Sequence, residues 1–189
     1  MRENSVYKSK FSEKDWSFLV QYPCRVGLWM SDLEMGGGDG AEIAERRALE
    51  NIIIRAQEKY ENRAFIKELI KETEETSCDI QAANDQNVLQ DAPKVLNMLQ
   101  ANVEKIDVNC FKLICLDVAE AVAKAAPDRE FGAHNLHGGP ESGWFGLYPL
   151  LSSLLRLGRG PKVSPTEKNG INALIDALKA NNIAMKWRV

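Results

Sequence analysis

The chain has 189 residues, 44% hydrophobic and 27% charged, with a net charge of -3 and a pI near 5.5. That length can bury a full core, so residues 1–189 are expected to form one domain, and the acidic balance excludes a nucleic-acid backbone binder, which needs a basic excess. No stretch reaches ~18 uninterrupted apolar residues, so nothing should cross a membrane, and the N-terminal MRENSVYKSKF lacks the apolar core of a secretory signal.

Helical periodicity dominates from the start. Ser12-Glu13-Lys14-Asp15 offers an N-cap with an acid three residues on. Pro23 falls inside the apolar run that follows, where the missing backbone donor predicts a break or kink. After the turn at 31–45, Ala44, Ala48, Ile52, Ala56 and Tyr60 recur at spacings of three and four, the mark of an amphipathic helix. Phe65, Ile66, Leu69 and Ile70 form a second stripe. Ser77 to Gln90 is polar and fits either a loop or a poor helix. Asp91 and Pro93 suit the cap and first turn of the next helix, whose stripe is Val95, Leu96, Leu99 and Val103. Val108, Phe111, Cys115, Val118 and Val122 place a further helix over 107–126.

Gly132 to Gly143 is a loop, rich in glycine and holding Pro140. Trp144, Leu147, Tyr148, Leu151 and Leu155 predict another helix. Ser164-Pro165-Thr166-Glu167 is a strong helix start, with N-cap serine, proline at N1 and glutamate at N3. Its stripe is Ile171, Leu174, Ile175 and Leu178, and only the tail from Ile183 to Val189 has weak strand character. The fold class is therefore all-α, a bundle of about seven helices. Trp16, Trp29, Trp144 and Trp187 are expected to pack in the core or against it. Cys24, Cys78, Cys110 and Cys115 include no CxxC pair, so they read as reduced, mostly buried thiols of a cytoplasmic protein, not zinc ligands or a disulfide framework.

Two segments echo one another without a gap at an offset of 122 residues, which lays Glu45 on Glu167. The first spans 22–56 and the second 144–178, and each is an apolar helix, a Gly-rich turn and a second helix. Two such hairpins would pack about a pseudo-twofold axis, although any two amphipathic hairpins can be matched in this way. The acids of the first copy are mostly missing from the second: Asp32 becomes Leu154, Glu34 becomes Arg156, Asp39 becomes Pro161 and Glu42 becomes Ser164. A helical hairpin evidently does not require them.

That turn, SDLEMGGGDGAEIAE, is the first candidate site. Asp32, Glu34, Asp39, Glu42 and Glu45 are oxygen donors around a run of glycines, and hard divalent cations such as calcium take several such oxygens. The EF-hand template fails from Asp32, because Gly36 falls on the third ligand position and Ile43 where a bidentate acid is needed. The competing reading makes Asp39 an N-cap and Glu42 its capping-box partner, on a solvated corner. The second candidate is the pair His134 and His137, the only histidines, with Glu141 or Asp128 as a third zinc donor. It lacks the HExxH arrangement and its general base. No GxSxG motif is present.

The run DWSFLVQYPCRVGLWMSDLEMGGGDGAEIAERRALENI, with VSPTEKNGINALIDAL later, resembles the TerB-like (tellurite-resistance) helical family. FKLICLDVAEAVAKAA is similar to the central alanine-rich helix of such proteins. The likeness covers about half of the chain. It departs at Gly36-Gly37-Gly38, which lengthens the first turn, and at Arg159-Gly160-Pro161, where a second acidic cluster is absent. The resemblance implies an all-α fold with pseudo-symmetric halves. It also implies a non-enzymatic role tied to metal or stress response at the cytoplasmic side of a membrane. Three functions stay open: a binding or sensor module with a divalent cation at 32–45, a ligand-free scaffold for a protein partner, and a metal-dependent enzyme using His134 and His137.

Overall fold

The structure, a computed structural model, describes residues 6–33, 39–76, 87–125, 163–180 and 182–183, with the side chains of 39–42 left aside. A 3-10 turn at Lys8–Lys10 precedes six α-helices: α1 (Glu13–Asp32), α2 (Asp39–Lys59), α3 (Ala64–Glu75), α4 (Val88–Asn102), α5 (Lys105–Ala125) and α6 (Pro165–Ala177). The described residues contain no strand, and their helices number six, not seven. The helix expected from Trp144 to Leu155, and with it the first half of the hairpin expected over 144–178, lies outside the described residues, as do the loop at 132–143 and most of 77–90. So does the superposition of the two echoed hairpins.

α5 is the axis of the bundle, packing against all five other helices. Its burial follows from composition. Val108, Phe111, Cys115, Val118 and Val122 are buried as the stripe predicts, but so are Ile114, Leu116, Ala119 and Ala123 on other sides. A helix apolar nearly all round belongs in the interior. The α3 stripe of Phe65, Ile66, Leu69 and Ile70 is fully buried, as is that of α6 at Leu174 and Leu178. In α2 the inward face is rotated from expectation. Glu45, Leu49, Ile53 and Ala56 are buried, while Ala44, Ala48, Ile52 and Tyr60 are only half-buried.

Two prolines are tolerated inside helices. α1 runs unbroken through Pro23, which costs one backbone bond and on the order of 3 kcal/mol. Leu19, Val20, Tyr22, Val26 and Met30 are all buried along it, and each such side chain contributes about 1.5–3 kcal/mol, so packing outweighs the local defect. α4 starts about a turn before Pro93, at Val88. Val88 and Ala92 are fully buried, and the Tyr22 hydroxyl donates to the Val88 carbonyl at 2.9 Å. Asp91 is thus a first-turn acid and not the cap. It pairs with Arg25 at 2.6 Å, and the Arg25 guanidinium lies over the Phe18 ring.

Both serine caps form. The Ser12 hydroxyl accepts from the Asp15 amide at 3.1 Å, and Ser164 and Glu167 complete a capping box. α6 closes in a Schellman motif: the Ala180 amide donates to the Ile175 carbonyl at 2.8 Å and the Lys179 amide to Asp176 at 3.0 Å. Lys179 supplies the left-handed residue, at φ 48°. The N-terminal segment is strapped to α3. Glu68 accepts the Tyr7 and Lys8 amides at 3.2 and 2.8 Å, Lys8 pairs with Glu72 at 2.7 Å, and the Trp16 indole donates to Glu72. Beneath lies an aromatic cluster of Tyr7, Phe11, Trp16 and Phe65.

The cysteines divide. Cys110 and Cys115 are free and buried, as expected. Cys24 is instead held in a disulfide, whose other half lies outside the described residues. The expectation of reduced thiols throughout is therefore corrected. Spacing alone does not reveal such a bond, because it depends on which residues the fold brings within bonding distance.

Candidate functional site

The acidic turn joins α1 to α2. Asp32 is the last residue of α1 and is exposed; Asp39 is the first residue of α2. Helix formation from Asp39 onward leaves it inside the helix and not at the N-cap. Glu34 and the side chains of Asp39 and Glu42 lie outside the described residues. Glu45 has a structural task. It is 8% exposed and accepts a hydrogen bond from the Ser31 hydroxyl. A buried carboxylate needs such a donor, since an unpaired one is costly. The bond ties the last turn of α1 to the second turn of α2. Glu167, its counterpart in the echo, is likewise buried, and its carboxylate accepts the Ser164 amide at 2.7 Å.

His134 and His137 lie outside the described residues. Among the described residues, no three or more histidine, cysteine or acidic side chains gather as a metal-binding group.

A second place stands out that the sequence reading missed. α2 and α5 leave a cavity of about 260 Å³ between them, lined by Ile52, Arg55, Ala56, Lys59, Ile114 and Asp117. Its four α2 residues sit at i, i+3, i+4 and i+7, one stripe of the helix, and its α5 residues are one turn apart. The floor is aliphatic, from Ile52, Ala56 and Ile114, and the rim is charged. Lys59 pairs with Asp117 at 2.8 Å. Burial alone would lower the Lys59 ammonium, but its bond to Asp117 outweighs that and raises it. Arg55 is exposed and, among the described residues, has no hydrogen bond or ion pair. Tyr60 stacks its ring under the Lys59 ammonium. Among the described residues no group meets its buried hydroxyl at normal hydrogen-bond geometry, and desolvation raises its pKa against the opposing pull of Lys59. The available signal was Asp117, an acid interrupting the apolar run of α5 next to a half-basic stripe of α2. Only packing shows that the two face each other.

The other ionisable groups of the interior serve the fold. Arg63 bridges Asp107 at 2.7 Å and Glu104 at 3.3 Å. Lys112 on α5 is buried and donates to the Lys179 carbonyl at 3.2 Å. Desolvation, then the nearby Lys179 charge, lowers its pKa. Burial pushes the Cys115 thiol well above its ordinary range, which leaves it unreactive. No described helix is long and apolar enough to cross a membrane. The chain matches no family model, no curated protein and no solved structure.

Proposed function

We propose that the chain is a non-enzymatic helical binding module of the TerB-like kind, in which the acidic turn between α1 and α2 takes a divalent cation. The role belongs to metal or stress response at the cytoplasmic side of a membrane, as the resemblance implies. The supporting observation is the Ser31–Glu45 hydrogen bond. It joins the last turn of α1 to the second turn of α2, and Asp32, Glu34, Asp39 and Glu42 all fall in the sequence between those two bonded residues. Glu45 is then a buttress, and those four acids are the ligands. Close carboxylates repel by about 1 kcal/mol per pair at ~4 Å in water, and a cation offsets that repulsion.

Thermal melting with calcium, magnesium or manganese tests the reading. At ~100 times the dissociation constant the cation should stabilise the wild type by about 2.7 kcal/mol, and an Asp32→Asn, Asp39→Asn variant far less. No shift with any of the three, and a metal-free wild type melting no lower than the variant, would discard it.

One observation favours the ligand-free scaffold as a second reading. Ile43 and Ile54 are 53% and 46% exposed on α2, and eleven residues make about three turns, so both lie on the same side. Metal analysis of the purified protein separates the readings. Calcium or a similar hard ion supports the first, no metal the scaffold, and zinc near one equivalent the enzyme built on His134 and His137.

A further inference from the structure

We propose that the cavity between α2 and α5 binds a small aliphatic monocarboxylate, with its carboxylate on Arg55 and its chain over Ile52, Ala56 and Ile114. This site is separate from the acidic turn and does not depend on it.

Three observations carry the assignment. The floor is aliphatic and partly enclosed, which favours a hydrocarbon chain over a fully hydrated inorganic anion. Of the three charged lining residues two are cations, and Lys59 is already engaged by Asp117. Arg55 is engaged by no described residue, and its planar fork matches a carboxylate with two parallel hydrogen bonds. Lys59 and Asp117 neutralise each other, so Arg55 is the one unbalanced charge of the lining, and a monoanion suits the site better than a phosphate monoester. The cavity volume of about 260 Å³ limits the chain to a short one.

The test is a titration of the full chain with butyrate, followed by amide resonances in a nitrogen–proton correlation spectrum. Acetate serves as the probe without a chain and butan-1-ol as the probe without a charge. The expected result is saturable shifts centred on Ile52, Ala56 and Ile114 with butyrate, weaker binding of acetate, and no saturable response to butan-1-ol. Arg55→Ala should weaken butyrate about tenfold or more, because it removes a charge-assisted pair, and Arg55→Lys should fall between. Arg55 is exposed and has no ion pair among the described residues, so both variants should fold with an unchanged spectrum elsewhere. Equal response to butan-1-ol and butyrate, undiminished binding by Arg55→Ala, or butyrate shifts that avoid the cavity would each overturn the proposal.

Discussion

Gly27 packs directly against Leu49 of α2, and Gly27→Ala probes that contact. A Cβ at Gly27 would lie 2.8 Å from Leu49 Cδ1, 3.0 Å from Cδ2 and 3.3 Å from Cγ. Leu49 is 3% exposed, and a contact that reaches its branch carbon cannot be relieved by swinging one methyl aside. Either the whole side chain moves or the helices separate, at a cost of about 1–3 kcal/mol. Against this, alanine in a helix interior gains about 1 kcal/mol over glycine. With three close contacts the steric cost sits in the upper half of its range, so Gly27→Ala should destabilise by roughly 1–2 kcal/mol. Leu49→Ala alone should cost about 2–5 kcal/mol by leaving a cavity. In the Leu49→Ala background the clash is gone and the new methyl fills part of the void. There Gly27→Ala should become neutral or stabilising. Urea denaturation of the four proteins, read as shifts in the midpoint at constant slope, gives the coupling directly. Effects that add to within about 0.5 kcal/mol would mean that the two side chains do not touch, and would refute this packing of α1 on α2.

Lys179→Gly should raise stability by about 0.5–1 kcal/mol, because the Schellman motif holds a residue with a Cβ at φ 48° where glycine meets no such penalty; a loss in the same urea denaturation would argue against the motif. Lys112 has its folded pKa below the ordinary lysine value of 10.5, so between those two values the unfolded chain binds more protons than the folded one. Stability from this group therefore rises with pH across that alkaline window. The difference in stability between wild type and Lys112→Met should shift in favour of the wild type there, and a pH-independent difference would show that Lys112 is solvated.

Much of the architecture was legible from residues a turn apart. The caps at Ser12 and Ser164 form as expected, because a capping hydrogen bond needs only its own neighbours along the chain. The α3 and α6 stripes were correct because each of those helices buries a single face. Tertiary contact decided the rest. Pro23 and Pro93 looked like boundaries, yet burial of Leu19, Tyr22 and Val88 carries helix through or ahead of them. The buried face of α2 differs from its apolar stripe in that Glu45, read as an oxygen donor of the acidic turn, turns inward to meet Ser31. α5 showed one stripe but is enclosed on most sides, and periodicity measures contrast between faces, which a central helix lacks. Cys24 finds a disulfide partner that spacing did not disclose. The cavity at Arg55 and Asp117 was invisible for the same reason: it exists only where two helices distant in sequence face each other, and no pattern within either one specifies that meeting.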